Sequence, residues 1–319
     1  MKRWRDRGNG CFSLTGVRDL AYILEKLFRS NPMQVESRFF NYNGSVSIHY
    51  KGGGSGPATL IFLHGFAASH TTWEDILPLI PADRFRIILL DLKGFGLSAK
   101  PRDGAYSIEE QATMVRSFIR EQGFPSVTLI GHSLGGGVAL RTCMQMQSGN
   151  DPVTVERLVL IDSAAYPQRL PRFFRRLKIP LLGPLLFRLI PARIMVRRAM
   201  EMAFHDKSAI TPERIERYRR YFRGRGLGYT LRATIRCIKP ENYADIGEQY
   251  RKISIPALII WGDHDYIVKP KYGQMLNEDL PGSRLKILAR CGHNPHEERP
   301  VETFAAMEDF LAAKVDQLQ

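Results

Sequence analysis

The sequence predicts an α/β protein: a doubly wound, mostly parallel sheet interrupted by an inserted helical cap. Three observations carry that prediction. Short apolar runs recur without a polar face, helix-period stripes separate them, and one long middle segment breaks the alternation with helix signals alone. Strands that are apolar on both faces belong in a parallel sheet, because the crossover helices that parallel pairing requires cover both faces. Alternating strand and helix signals then imply right-handed βαβ winding.

Residues 1–35 begin with a basic stretch, and Arg18, Asp19, Glu25 and Lys26 interrupt the apolar run that a secretory signal would need. An amphipathic helical extension is expected there, not a leader. Residues 36–162 form the first part of the core. Within it, "YNGSVSIHYKGGGSGPATLIFL" (42–63) is expected to be an edge hairpin that turns through the glycine run and feeds the first central strand, "TLIFL" (59–63). "RIILLD" (86–91), "SVTLIG" (126–131) and "RLVLID" (157–162) are the next strands. Between the first two of these, Ser107 caps a helix with Glu110 three residues on, and Ile108, Ala112, Val115 and Ile119 share its face.

Regularity stops after residue 162. Residues 163–250 hold helix signals only, such as Thr211 and Pro212 as cap and first position with Ile215, Tyr218 and Phe222 as the stripe. "RGRGLGYT" (223–230) is expected to be a loop within this cap. The core resumes over 251–319 with "ALIIWG" (257–262) and "RLKILA" (284–289), and closes on a helix starting at Pro300 with Phe304, Met307 and Leu311 on one face.

Composition narrows the class. In 319 residues, 44% hydrophobic and 24% charged, there is material for a large core, and the balance excludes a disordered or fibrous chain. Cys11, Cys143, Cys237 and Cys291 lie far apart with no CxxC spacing, so neither a zinc site nor a disulfide framework is expected, and reduced thiols fit a cytoplasmic protein. The most apolar region, "IPLLGPLLFRLIPARIM" (179–195), is broken by internal prolines, Arg188 and Arg193, and falls short of a membrane span. Residues 163–252 carry 21 Lys+Arg against 7 Asp+Glu, where the whole chain has 46 against 32, so the formal charge of +14 resides in the middle segment.

The chemistry centres on Gly131-His132-Ser133-Leu134-Gly135. A serine between a strand and a helix, with glycines on either side that let backbone segments approach closely, is the nucleophile-elbow arrangement that lifts the hydroxyl above the sheet edge. A serine hydroxyl needs a general base, and the base needs a carboxylate to hold its tautomer. Both are expected on loops after later strands. "WGDHD" offers Asp263 and Asp265, and "CGHNPHEERP" offers His293 and His296. Ser133, Asp265 and His293 satisfy the chain order; Asp162 is the competing acid, since it too follows a strand. His296 is the competing base, but its neighbours Glu297, Glu298 and Arg299 suggest the solvated start of a helix. Two backbone N–H groups should stabilise the oxyanion: Leu134, next to the nucleophile, and Phe66, in "FLHGFAASH" (62–70) after the first central strand. His64 is expected to be a packed histidine. His70, Trp73 and His132 are candidates for the substrate pocket, with core packing the competing reading.

On these segments the chain resembles the α/β-hydrolase superfamily from about residue 40 to the C-terminus. "HGF", "DLKGFGLSAKP" (91–101), "GHSLGG", "WGDHD" and "GHNPHEERP" are similar, in order and spacing, to the oxyanion, post-strand, elbow, acid and histidine segments of its cap-bearing branch. The resemblance implies an acyl-enzyme mechanism without metal or organic cofactor. Esterases, carbon–carbon bond hydrolases, haloperoxidase-like enzymes and epoxide hydrolases share that scaffold, so substrate must be argued from the site. A serine at 133 speaks against epoxide hydrolase and haloalkane dehalogenase chemistry, which use an aspartate. Carbon–carbon hydrolases commonly have a glycine-rich oxyanion loop, where this chain has Gly65 alone. The expected function is therefore cleavage of a carboxylic ester with an apolar or lipid-like acyl group. From another class stands a non-catalytic small-molecule receptor with the basic cap as its partner surface. The cap stretch 167–200 interleaves Arg and Lys with Leu, Ile and Phe; either its arginines form a solvated outer face over an apolar pocket, or it rests on an anionic membrane surface. No nucleic-acid module accompanies the charge.

Overall fold

The computed structural model describes residues 33–149, 151–168, 189–222, 224, 226–237 and 245–313. The expected extension 1–35 and the cap stretch 167–200 therefore lie largely outside the described residues.

Eight strands form one sheet in the order β1-β2-β4-β3-β5-β6-β7-β8. They are β1 (Val35–Tyr42), β2 (Val46–Gly53), β3 (Ala58–Leu63), β4 (Phe85–Leu90), β5 (Ser126–His132), β6 (Thr154–Ile161), β7 (Ala257–Gly262) and β8 (Ser283–Leu288). β1 and β2 pair antiparallel, as do β2 and β4; the pairs from β4 through β3, β5, β6 and β7 to β8 are parallel. All six apolar runs are strands.

The hairpin differs from expectation. Its turn is Asn43-Gly44, both at positive φ (51° and 70°), not the glycine run. An Asn-Gly pair supplies the two left-handed residues that a tight hairpin turn needs, whereas the glycines after Lys51 carry the chain away from β2 to β3, two positions along the sheet.

Alternate side chains of the central strands enter opposite cores. Ile61, Leu63, Leu129, Leu158, Leu160, Ile259 and Trp261 face helices α1 (Ile108–Gln122) and α2 (Leu134–Ser148), while Leu60, Phe62, Ile130, Val159, Ile161 and Ile260 face Trp73 and the C-terminal helix. α1 starts on a complete capping box between Ser107 and Glu110 and buries Ala112, Val115, Phe118 and Ile119.

Between β6 and β7 the described residues form α3 (Ala192–Ala203), α4 (Pro212–Tyr221), α5 (Leu227–Cys237) and the short α6 (Ile246–Tyr250). α4 begins at the Thr211 cap with Pro212 in its first turn, and Val196, Met200, Phe204 and Ile215 pack α3 and α4 together. The stretch expected as a loop at 223–230 is helical from Leu227, because "LGYTLRATIRC" buries Leu227, Thr230, Leu231 and Ile235 on one face and that burial overrides its flanking glycines. After β7 come α7 (Lys271–Asp279), α8 (Pro295–Glu298) and α9 (Pro300–Ala312). On α9, Phe304, Met307 and Phe310 are buried, with Phe310 rather than the expected Leu311 completing the inner stripe. No described helix is long and apolar enough to cross a membrane.

The winding direction reverses at β3, which has β4 on one side and β5 on the other. The loops leaving β3 and β5 diverge there, opening the crevice in which open α/β sheets bind ligands.

Candidate active site

Ser133 sits at that crevice, between the end of β5 and the start of α2, with φ 52° and ψ −116°. Such a backbone persists only where surrounding bonds over-determine it. Here the Ser133 N–H donates to the Ile161 carbonyl (2.9 Å), and its carbonyl accepts from Gly136 (3.0 Å) and Ala164 (2.9 Å). The flanking glycines make this packing feasible: a Cβ at Gly131 would lie 2.3 Å from the Gly135 carbonyl oxygen, and one at Gly135 would lie 2.1 Å from that of Leu63. The serine is 9% exposed.

The loops after β7 and β8 bring the other two groups to it. His293 Nε2 is 2.9 Å from Ser133 Oγ, and His293 Nδ1 is 2.7 Å from Asp265 Oδ2. A carboxylate only accepts, so Nδ1 carries the proton and the Nε2 lone pair faces the serine hydroxyl. Asp265 Oδ1 accepts from the N–H groups of Ile267 (2.7 Å) and Val268 (2.9 Å), which fixes the carboxylate plane. The histidine backbone is held as firmly: its N–H donates to the Ala203 carbonyl at the end of α3 (2.7 Å), and its carbonyl accepts from His132 Nε2 (2.7 Å). Asp263, in contrast, faces His264 and the Cys291 N–H.

Leu134 opens α2, where helix geometry leaves an N–H without an intrahelical partner. Gly65 leads the β3 exit past the elbow, since a Cβ there would lie 3.2 Å from Ser133 Cβ, and Phe66 follows directly. His64 is a packed histidine: Nδ1 donates to the Gly65 carbonyl (2.8 Å) and Nε2 accepts from the Leu92 N–H (3.0 Å). Burial drives its pKa down, which matches this neutral form.

The three pocket candidates are engaged in the body of the protein. His70 bonds the Asp91 carboxylate through its backbone N–H (2.7 Å) and Nδ1 (3.0 Å). Trp73 packs edge-on against Phe62 and lies 4.5 Å, centroid to centroid, from His296. His132 is buried between His293 and His296, and burial followed by those two neighbours pushes its pKa well down. His132 thus ties the histidine loop to the elbow from below.

His296 is buried, not at the solvated start of a helix that its neighbours Glu297, Glu298 and Arg299 suggest. Its Nε2 meets Thr72 Oγ1 (2.9 Å), and burial, then His293 and Arg214, lower its pKa to about 3. Glu297 is buried beside it, accepting from Tyr218 Oη (2.6 Å) of α4 and from Thr72 Oγ1 (3.2 Å). Arg214 and Arg217 of the same helix reach Asp75 (2.8 and 3.0 Å). This polar seam between cap and core escaped the sequence reading, because Glu297-Glu298-Arg299 looks like an ordinary solvated helix start. Asp91 escaped it as well. Burial alone would raise its pKa, but the hydrogen bonds from His49 (2.8 Å) and His70 hold it far below the usual carboxylate range.

Fold and site together define an α/β protein with a serine, histidine and aspartate converging at the carboxyl ends of its strands. Residues 58–300 match the α/β hydrolase fold family, and the chain belongs to that family. It is 32% identical over 276 residues, 86% of this chain and 97% of the relative, to the uncharacterised hydrolase YugF of Bacillus subtilis. With a 2-hydroxy-6-oxononadienedioate/2-hydroxy-6-oxononatrienedioate hydrolase of Paraburkholderia xenovorans it shares 27% identity over 85% of this chain and 92% of that one. Among solved structures, a membrane phospholipase A described as a bacterial virulence factor superposes with a TM-score of 0.66 at 26% identity, covering 89% of this chain and 86% of that one. The chain is a hydrolase of the α/β fold.

Proposed function

We propose that the protein cleaves carboxylic esters through an acyl-enzyme, with Ser133 as nucleophile, His293 as general base and Asp265 as its orienting carboxylate. The observation that carries this reading is the unbroken relay from Asp265 Oδ2 through His293 to Ser133 Oγ, at 2.7 and 2.9 Å. Ser133 Oγ adds to the ester carbonyl as its proton passes to His293 Nε2. The Leu134 and Phe66 N–H groups receive the oxyanion, and the imidazolium protonates the departing alkoxide. Water then repeats the sequence, giving its proton to His293 and releasing the acid and Ser133. The acyl group we assign is apolar or lipid-like, on the strength of the Leu-, Ile- and Phe-rich cap sequence and the likeness to a phospholipase.

The test is fluorophosphonate labelling with turnover of p-nitrophenyl esters of graded chain length. Ser133→Ala should abolish labelling and lower kcat/KM by at least about 10⁴-fold. Unchanged turnover in that variant overturns the reading, and labelling without useful turnover favours a small-molecule receptor. A second reading, hydrolysis of a carbon–carbon bond, is favoured by the likeness to the Paraburkholderia xenovorans hydrolase. Preference for a 2-hydroxy-6-oxo dienoate over every ester in the panel would establish it instead.

The outer face of α3 supports a surface contact for the cap. Ile194 is 51% exposed and nearby Leu189 68%, with Arg193, Arg197 and Arg198 on the same helix. We propose that this face meets anionic lipid.

A further inference from the structure

A second carboxyl stands behind the relay. Asp162 follows β6, adopts a positive φ of 43°, and is completely buried. Its backbone is pinned by its own N–H donating to the Ile260 carbonyl (3.0 Å), and Oδ1 accepts from the Gly262 N–H (3.1 Å). Oδ2 meets no nitrogen or hydroxyl donor among the described residues. Facing Asp162 instead is the site itself: a carboxylate oxygen of Asp162, one of Asp265 and a ring nitrogen of His293 lie within 4.8 Å of one another. Two buried ionised carboxylates that close would repel strongly, and a proton between them removes the repulsion while giving the orphaned oxygen a partner.

We propose that Asp162 is a positioning residue for the relay: a neutral carboxyl that donates a hydrogen bond to Asp265 and holds in reserve the negative charge His293 needs. The inference rests on the serine–histidine–aspartate reading, not on the ester assignment. Burial and the adjoining Asp265 charge push the Asp162 carboxyl well above the usual carboxylate range, Glu298 adds to this, and the Gly262 N–H opposes it. Among the described residues, His293 and the Cys291 thiol also lie near it, the thiol itself raised by burial and then by nearby carboxylates that include Asp162. With Asp265 ionised, the neutral Asp162 supplies a donor. With Asp265 neutralised, Asp162 releases its proton to bulk water and becomes the anion behind the imidazole.

The test compares rate constants for fluorophosphonate labelling of Ser133 in wild type, Asp265→Asn and Asp162→Asn/Asp265→Asn, across pH 6–10. Labelling needs the activated serine but no natural substrate, so failure of the ester reading leaves this test intact, whereas a wild type that does not label sinks the relay itself. Asparagine at 265 keeps an oxygen for the Ile267 and Val268 N–H groups; thermal melting checks folding, and Asp265→Ser carries the same comparison should the asparagine variant not fold. Losing the only orienting carboxylate costs on the order of 10⁴-fold. Asp265→Asn should lose about 10²-fold or less and recover as pH rises and Asp162 ionises, and the double variant should fall at least tenfold further and lose that rise. A double variant within tenfold of Asp265→Asn, or an Asp265→Asn rate that does not climb with pH, overturns the proposal.

Discussion

Ser133 has its unusual backbone because its neighbours leave no other path. The Leu63 carbonyl ends β3 and leads into His64, Gly65 and Phe66, so the elbow and the proposed oxyanion loop touch through the missing side chain of Gly135. Gly135→Ala would put its Cβ 2.1 Å from that oxygen and force the two apart. The expected result is a loss of about 1–3 kcal/mol or more, seen as a lower Tm, together with a sharp drop in fluorophosphonate labelling, because the displaced backbone carries the two proposed oxyanion donors, Leu134 and Phe66. A melting curve and labelling rate equal to wild type would show that the loop accommodates the methyl group. At this scale the sequence was most legible: order along the chain was enough to propose Ser133, Asp265 and His293, which the fold brings within hydrogen-bonding distance. It was least legible at His296, whose acidic and basic neighbours suggest solvent, while the partner that buries it, Thr72, is 224 residues away.

Elements were legible where their signal is local and hidden where a distant surface supplies it. The capping box of α1 and the Thr211-Pro212 start of α4 needed only neighbouring residues. The Asn43-Gly44 turn is local too, but the glycine run after Lys51 is the more conspicuous turn signal. α5 follows a glycine-rich stretch and owes its helix to burial against the body. The seam where α4 meets α8 is of the same kind, and it has a measurable consequence. Burial raises Glu297 from 4.5 to about 7, against the lowering effect of Tyr218, Asn294 and Arg214. A carboxyl whose folded pKa lies above its unfolded value favours folding most below about pH 4.5, and that contribution disappears as pH rises through about 7. The wild type should therefore lose on the order of 3 kcal/mol from this group between pH 4.5 and pH 8. Glu297→Gln should flatten that part of the stability–pH curve, and because Tyr218 contacts Glu297 from α4, the flattening should extend to protease susceptibility of the cap. Parallel wild-type and variant curves from denaturant titrations at pH 5.5 and pH 8 would place the ionisation elsewhere.

Over the whole molecule, charge separates as cleanly as structure does. Residues 163–252, between β6 and β7, carry the net excess of basic residues; of the rest, residues 1–35 are basic and the sheet with its covering helices is slightly acidic. A uniformly basic protein would attract polyanions from any side; one whose excess lies mainly in the cap has an electrical axis, and the proposed membrane contact would use it to present the cap to a negative surface. Each surface arginine near anionic lipid contributes about 1 kcal/mol, screened within a Debye length of roughly 8–10 Å at physiological salt, while Ile194 and Leu189 add a salt-insensitive apolar part. The two components predict different responses. Sedimentation with phosphatidylserine-containing vesicles should exceed that with phosphatidylcholine alone, fall steeply as NaCl is raised, and weaken in Arg197→Glu/Arg198→Glu. Ile194→Ser should lower the residue of binding that survives high salt. Those arginines also pair with Glu201 on their own helix, so part of their charge is already engaged, and the proposed membrane contact would have to draw on the rest of the cap. Equal and negligible sedimentation with both lipids would mean that the basic face is a solvated exterior over the site, with no role in presenting it to a membrane.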